Sequence, residues 1–192
     1  QYGSLGWPAS NETCTTSTCQ VIFTGGTITW SQATGAQTVT APYEAAFAST
    51  GRYTGVLGVA AGKPVSYSVN GGGSAQSFTG GHIYTSPAGT FHLRKNSAIF
   101  AAYAAQNSQY GSLGWPASNE TCTATTCQVV FTGGTITWSA ETGVQTITAP
   151  YEAAYAATGR YSGVLGVATG KPGSYAANGG GSAQSFTGGH IY

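Results

Sequence analysis

The chain contains no aspartate and no methionine, and charged residues fill only 6% of its 192 positions, against about 25% in an ordinary globular domain. Six Lys and Arg stand against five Glu, a formal charge of +1. So sparse a charge excludes a nucleic-acid binder, which needs a basic stripe to release counterions. It also excludes a charge-driven disordered tail, because such tails are highly charged and poor in aromatics. No apolar run approaches the ~18 residues of a membrane-crossing helix, so no membrane span is expected. No secretory leader is visible, and the chain opens at Gln1 rather than at Met. Without Asp, a Ser–His–Asp triad lacks its orienting acid. No serine sits in a Gly-x-Ser-x-Gly elbow. The glycine runs Gly71–Gly73 and Gly179–Gly181, which follow Asn70 and Asn178, lack the strand–helix context and the Gly-Lys-Ser/Thr of nucleotide loops. They read as turns needing positive φ. The sequence therefore predicts a protein without catalysis or cofactor.

What the chain has in excess is glycine, 30 residues, and aromatics, with twelve Tyr among them. It also has an internal repeat. Residues 1–84 align without a gap on 109–192, differing at 14 of the 84 positions, and 85–108 complete a 108-residue double unit. Inside it lies a weaker half-period of ~54 residues. Phe23-Thr24-Gly25-Gly26 recurs at Phe78, Phe131 and Phe186, and Leu5-Gly6-Trp7 returns as Leu57-Gly58-Val59, Leu113-Gly114-Trp115 and Leu165-Gly166-Val167.

Each unit reads as a hairpin plus a helix. Gln20–Phe23 and Thr27–Trp30 are β-prone runs joined at glycines, and Gln37–Thr40 alternates like a third strand. Ala41–Ala48 predicts a short helix with Pro near its first turn, a Glu at its positive end and Gly51 as its stop. Tyr43 and Phe47, four apart, share the face that anchors it. Asn96–Ala105 takes the same place in the next unit. Such a unit cannot bury its own apolar face, so the expected fold is β-rich with short helices, tandem repeats stacked as a propeller-like ring or an open solenoid. Both ends fall inside a unit, which predicts that residues 1–192, about 3.5 units, are a window of a longer array.

Candidate chemistry is thin. Cys14 with Cys19, and Cys122 with Cys127, each enclose four residues and read as local disulfides of an oxidising compartment. Zinc would need four ligands at the usual short spacings, and no His lies near. Glu12 and Glu120 form a glycosidase-type dyad only in principle; ties to backbone amides or to Arg52 and Arg160 are the favoured reading. The aromatics recur at fixed places. Exposed, they would stack on sugar rings while Thr, Asn and Gln side chains bond the hydroxyls; buried, they would form cores between units. For Trp7 and Trp115 the core is favoured. Trp30 and Trp138, in Thr-Ile-Thr-Trp strands with one Thr-rich face, are evenly balanced, and with Tyr84 and Tyr192 they are the candidate glycan contacts. Asn11-Glu12-Thr13 and Asn119-Glu120-Thr121 fit the N-glycosylation pattern.

These motifs resemble the LGFP repeat family. Its signature is matched by Leu5-Gly6-Trp7-Pro8 and Leu113-Gly114-Trp115-Pro116, and its Gly-Gly-x-Ile-Tyr-Trp-Ser-Pro segment by Gly25–Ser31 and Gly80–Pro87. The units at Leu57 and Leu165 lose the aromatic and the Pro. The resemblance implies an accessory module of secreted, mostly actinobacterial, envelope proteins that holds them to wall polysaccharide. It places the protein outside the cell, on the surface or in the wall. Composition supports a second reading, a structural protein whose partner is copies of itself. Sparse charge with β edges and aromatics invites lateral packing into a filament or surface layer.

Overall fold

The computed structural model describes residues 3–192; Gln1 and Tyr2, the first positions of the double repeat, lie outside the described residues. The first meander is β1 (Thr13–Cys14), β2 (Thr18–Phe23), β3 (Gly26–Ser31) and β4 (Gly35–Thr40), paired antiparallel in that order, and α1 (Glu44–Ser49) follows. The second is β5 (Val65–Tyr67), β6 (Gly73–Ser77), β7 (Gly81–Ser86) and β8 (Gly89–Arg94), followed by α2 (Ala98–Ala105). The third is β9 (Thr121–Cys122), β10 (Thr126–Phe131), β11 (Gly134–Ser139) and β12 (Gly143–Thr148), followed by α3 (Tyr151–Ala157). The fourth is β13 (Gly173–Tyr175), β14 (Gly181–Phe186) and β15 (Gly189–Ile191). Among the described residues the protein is thus β-rich, with three short α-helices between tandem antiparallel sheets. It divides into two compact units, residues 1–97 and 98–192. Sequence patterning anticipated three strands per sheet. The extra short strands come from the cysteine pairs and from the runs at Val65 and Gly173, too brief to show a period.

The recurrence of Leu-Gly with Phe-Thr-Gly-Gly has a direct structural cause. The segment after each Leu-Gly turn runs antiparallel beside the hairpin and bridges it at Pro8–Phe23, Ala60–Phe78, Pro116–Phe131 and Ala168–Phe186. The Leu5 carbonyl accepts from Gly25 N at 2.8 Å and the Trp7 carbonyl from Thr24 N at 2.9 Å. The same pairs of bonds recur at Leu57/Gly80 and Val59/Thr79, at Leu113/Gly133 and Trp115/Thr132, and at Leu165/Gly188 and Val167/Thr187. The threonine hydroxyl adds a further bond, accepting from Trp7 N at 3.1 Å and from Trp115 N at 3.1 Å. The turn approaches so closely that a Cβ on Gly25, Gly80, Gly133 or Gly188 would strike the carbonyl of Ser4, Val56, Ser112 or Val164. Gly6, at φ +68, likewise leaves no room for a Cβ beside the Thr24 hydroxyl.

Each helix then buries its apolar face against the sheet that comes after it. In the first unit Val39, Tyr43, Phe47, Leu57, Ala60, Phe78 and Ile83 form one buried cluster, with the Phe47 and Phe78 rings stacked at 5.0 Å. Tyr43 and Phe47 are the predicted helix anchors; they hold α1 to β4 and also to the next repeat. In the second unit Ile147, Tyr151, Tyr155, Ala168 and Phe186 repeat the arrangement, with Tyr155 on Phe186 at 4.9 Å. There the Tyr155 hydroxyl also donates to the Gly166 carbonyl at 2.8 Å, a bond that Phe47 lacks. Fully buried Gln76 donates to the carbonyls of Thr38 and Gly62, joining two sheets, and Gln184 does the same to Thr146 and Gly170.

The Thr-rich face of β3 points inward. Thr27 and Thr29 are fully buried. Thr27 donates to Glu44 Oε1 at 2.8 Å, and Arg52 closes on the same oxygen at 3.0 Å. Thr29 Oγ1 accepts from Ala60 N at 3.1 Å. Thr135, Glu152 and Arg160 repeat the triad. The partners of the two arginines are therefore Glu44 and Glu152, which correct the expected Glu12 and Glu120. A Glu in the first helical turn and an Arg just past the last stand close enough to pair, whereas Glu12 is exposed in a loop.

Gly133→Ala, which drives a Cβ into backbone, is expected to cost more than about 2 kcal/mol. Gly170→Ala, where a Cβ would meet open space, should stay within about 0.5 kcal/mol. Tyr155→Phe should cost about 1 kcal/mol for the lost hydroxyl bond. Urea unfolding of the three variants checks the order.

Candidate functional site

The disulfides stand at one end of the odd sheets. Cys14 faces Cys19 across β1 and β2 with Cα atoms 4.0 Å apart, and Cys122 faces Cys127 at 4.1 Å. Each closes a hairpin whose threonine hydroxyls bond one another, Thr15 to Thr18 and Thr123 to Thr126, both at 2.7 Å. Glu12 and Glu120 lie beside these sulfurs. Bonded sulfurs offer no thiolate, so neither group is a zinc site.

Directly opposite Cys19 stands Trp30, and opposite Cys127 stands Trp138. Alternation along the strand puts each indole on the sheet face away from the buried threonines. Trp30 is 44% exposed and Trp138 half-buried. On the neighbouring strand Val144 faces Trp138 where the smaller Ala36 faces Trp30. The rings keep an accessible side at the same place in both copies. The Thr-rich face, however, is consumed in the interior and cannot supply sugar contacts.

A cleft of about 420 Å³ opens near the third sheet's end, lined by Thr125, Thr126, Ser139, Glu141, Tyr161 and Thr187 among others. Its lining is hydroxyl-rich and carries one aromatic ring and one carboxylate. The aligned positions of the first copy include Ser17, Thr18, Ser31, Tyr53 and Thr79, with Ala33 in place of Glu141. Just inward on the same sheet, Gln128 Oε1 and Thr137 Oγ1 are buried acceptors without a partner. This constellation was not visible in the sequence, because it draws on two hairpin tips, a helical turn and the next Leu-Gly segment.

Tyr84 does not belong to this surface. It is 5% exposed, a central residue of β7 between Ala75 and Phe91 on the neighbouring strands, so its ring is core rather than platform. Its copy Tyr192 is 90% exposed; residues 109–192 contain no counterpart of β8. Trp115 is fully buried as expected, but Trp7 is 60% exposed. In the second unit α2 stands against this turn, the Tyr103 hydroxyl donating to the Gly114 carbonyl at 2.7 Å. Asn11 and Asn119 are exposed and lie just before β1 and β9.

His82, beside Tyr84 on β7, is held down to about 4, mainly by burial and further by the Lys95 cation. Its Nδ1 lies 3.1 Å from Ser77 Oγ. Burial also pushes the Tyr84 hydroxyl up.

Clasped meanders repeated in tandem, each handing its helix to the next sheet, define a tandem-repeat module. The repeat itself is the LGFP repeat: its family model matches residues 5–55, 57–111 and 113–163, and the chain belongs to that family. Each match starts at a Leu-Gly turn, so the unit is turn, sheet and helix in that order. The family is not a known enzyme family. No curated protein matches the chain. Among the described residues, no helix is long and apolar enough to cross a membrane.

A histidine neutral in the fold down to about pH 4 is protonated in the unfolded chain below about 6.5. Between these values the unfolded state binds the extra proton, so stability is full above about pH 6.5 and falls as pH drops towards 4. His82→Gln should flatten that slope, measured as melting temperature between pH 7 and pH 4.5.

Proposed function

We propose that the chain is a non-catalytic extracellular module that binds wall polysaccharide and anchors the protein carrying it. One observation carries this reading: Trp30 and Trp138 keep an accessible indole side at the same place in both copies, beside a disulfide-stiffened tip. Indole faces stack on the C–H faces of sugar rings, and the nearly uncharged surface favours a neutral ligand. The hydroxyl-lined cleft with Tyr161 and Glu141 supplies hydrogen-bonding groups at the same end of the third sheet. Two disulfides fit an oxidising compartment, and the family's occurrence on secreted envelope proteins fits the wall. In this reading equivalent tips recur in the odd-numbered repeats. A second reading, a self-assembling filament or surface layer, is favoured by the scarcity of charge that would keep copies apart.

Sedimentation of the protein with insoluble, protein-stripped envelope polysaccharide separates the two. Retention of the wild type, reduced at least about tenfold (about 1.4 kcal/mol) in a Trp30→Ala, Trp138→Ala variant of unchanged circular dichroism, is the expected result. Equal retention of the variant removes the indoles from the site. No retention, with regular filaments in negative stain without any glycan, makes self-assembly the function.

A further inference from the structure

The polar row on the inner face of the odd sheets is satisfied differently in the two copies. Residues directly opposite each other on β10 and β11 share a face. The register pairs Thr126 with Ser139 and, one rung further in, Gln128 with Thr137. Thr126 and Ser139 line the cleft of about 420 Å³ at the sheet's end. About 7 Å behind them along the strands, Gln128 Oε1 and Thr137 Oγ1 are buried and have no hydrogen-bond partner among the described residues. In the first sheet the same rung is Gln20 and Thr29. Gln20 Oε1 is likewise unpartnered, but the Ala60 amide donates to Thr29 Oγ1 at 3.1 Å. The segment after Leu57 is thus tied to the first sheet at this rung. In the third sheet the same hydroxyl is unclaimed, and Gly166, Val167 and Thr187 form the far wall of the cleft. An unfinished sheet does not account for this opening. The clasp lies on the β14 side of its hairpin, where Ala168 bridges Phe186, whereas β8 completes the corresponding sheet of the first unit by pairing with β7, the counterpart of β15.

All the charge in the cleft has one sign. Glu141 lies at its exposed rim, and none of the lining residues is a Lys, Arg or His. The other glutamates recur in both copies: Glu44 and Glu152 are held by arginines, and Glu12 and Glu120 lie beside the disulfides. Glu141 has neither duty. Among the described residues it makes no hydrogen bond or ion pair, and its counterpart is Ala33. The two buried oxygens behind the rim add a fixed negative potential that their low-dielectric surroundings leave unscreened. Tyr161, half-buried on the helical turn Arg160–Ser162, contributes an aromatic ring, and such rings attract cations.

A carboxylate, a ring and hydroxyls without an opposing cation select a ligand that brings the positive charge and further hydroxyls. We propose that this cleft takes a hexosamine residue with a free, protonated amino group. Glu141 accepts from the ammonium, the Tyr161 ring lies against its charge, and the Thr125 and Thr187 hydroxyls meet those of the sugar. The proposal rests on the reading that the tips bind wall polysaccharide and narrows it: the indoles of both copies meet uncharged rings, and the second copy alone reads the amine.

Calorimetry on the full chain, at low salt and mildly acidic pH, compares two probes of equal length, a glucosamine tetramer and its fully N-acetylated form. The expected result is one site per chain with a preference for the free amine of at least about tenfold, the worth of one charge-assisted bond. Glu141→Gln should abolish the preference and leave the circular dichroism unchanged. Ala33→Glu, which gives the first copy the carboxylate without the unclaimed hydroxyl, should leave the stoichiometry at one. A second equal site in that variant overturns the proposal, because any carboxylate at a tip would then suffice. Equal affinity for the two tetramers, binding of neither, or a preference that survives Glu141→Gln also overturns it. The polysaccharide reading fails separately: a chain retained by envelope polysaccharide yet indifferent to the amine loses only the present proposal, and one that prefers the glucosamine tetramer yet is not retained loses only that reading.

Discussion

Everything in this fold hangs on the clasp between the Leu-Gly turn and the Thr-Gly-Gly hairpin. Two backbone bonds recur in all four repeats, and in the Trp-bearing repeats the threonine hydroxyl accepts one bond more. They fix where a segment that belongs to no regular sheet meets the strands. The clasp is made of carbonyls and amides at van der Waals limit, so it tolerates no Cβ at Gly25 or its equivalents. It also positions the leucine. With the Leu-Gly segment held at one end of the hairpin, that side chain is delivered into the core on which the preceding helix lands, as Leu57 is delivered to Phe47 and Phe78.

The helices convert clasped sheets into an array. None exceeds eight residues, too short to be stable alone in water, and none has a core of its own. The stability of α1 and α3 is borrowed from two sheets at once: Val39 and Ile83 belong to different meanders, yet share one cluster with Phe47, and Ile147 and Phe186 do the same with Tyr155. Buried polar groups add direction to this burial. Gln76 and Gln184 each commit both amide hydrogens to carbonyls of neighbouring segments, and apolar packing alone would let the sheets slide. The Thr27–Glu44–Arg52 triad ties helix, strand and turn at a half-buried point, where a lone carboxylate would be costly.

Much of this was legible in the sequence because it repeats. The half-period, the hairpins, the helix positions and the anchors Tyr43 and Phe47 emerge from spacing and alternation, and cysteines that enclose only four residues have one simple partner each. Function-bearing surface was less legible, for a physical reason. A period identifies which residues are equivalent but not which face of a strand is outside. Thr27 and Thr29 looked like a polar surface and are interior, because a buried seam of hydroxyls has the same alternation as an exposed one. Tyr84 and Tyr192 are equivalent in sequence and opposite in exposure, since a neighbouring strand decides the matter. Trp7 and Trp115 differ for the same kind of reason. The cleft at Tyr161 draws on residues more than sixty positions apart, beyond the reach of any local pattern.

The differences between the two copies mark where the architecture leaves freedom. None of the 14 falls in a Leu-Gly turn or in the four residues of a Phe-Thr-Gly-Gly turn. Within the odd sheets, Thr16/Ala124, Ser17/Thr125, Gln32/Ala140 and Ala33/Glu141 all lie on the two hairpin tips beside the disulfide, and Ala36/Val144 stands across from the tryptophan. Clasp and helix consume the other end and the inner face of each sheet, so the tips are the part of the odd sheets free to vary. A disulfide across two strands suits that position: it adds little closure entropy for so small a loop, but it holds a hydroxyl-bearing turn in place beside an indole. Changing tip residues there alters the exposed surface without touching the clasp, which is why the two copies differ at the tips and agree in the turns.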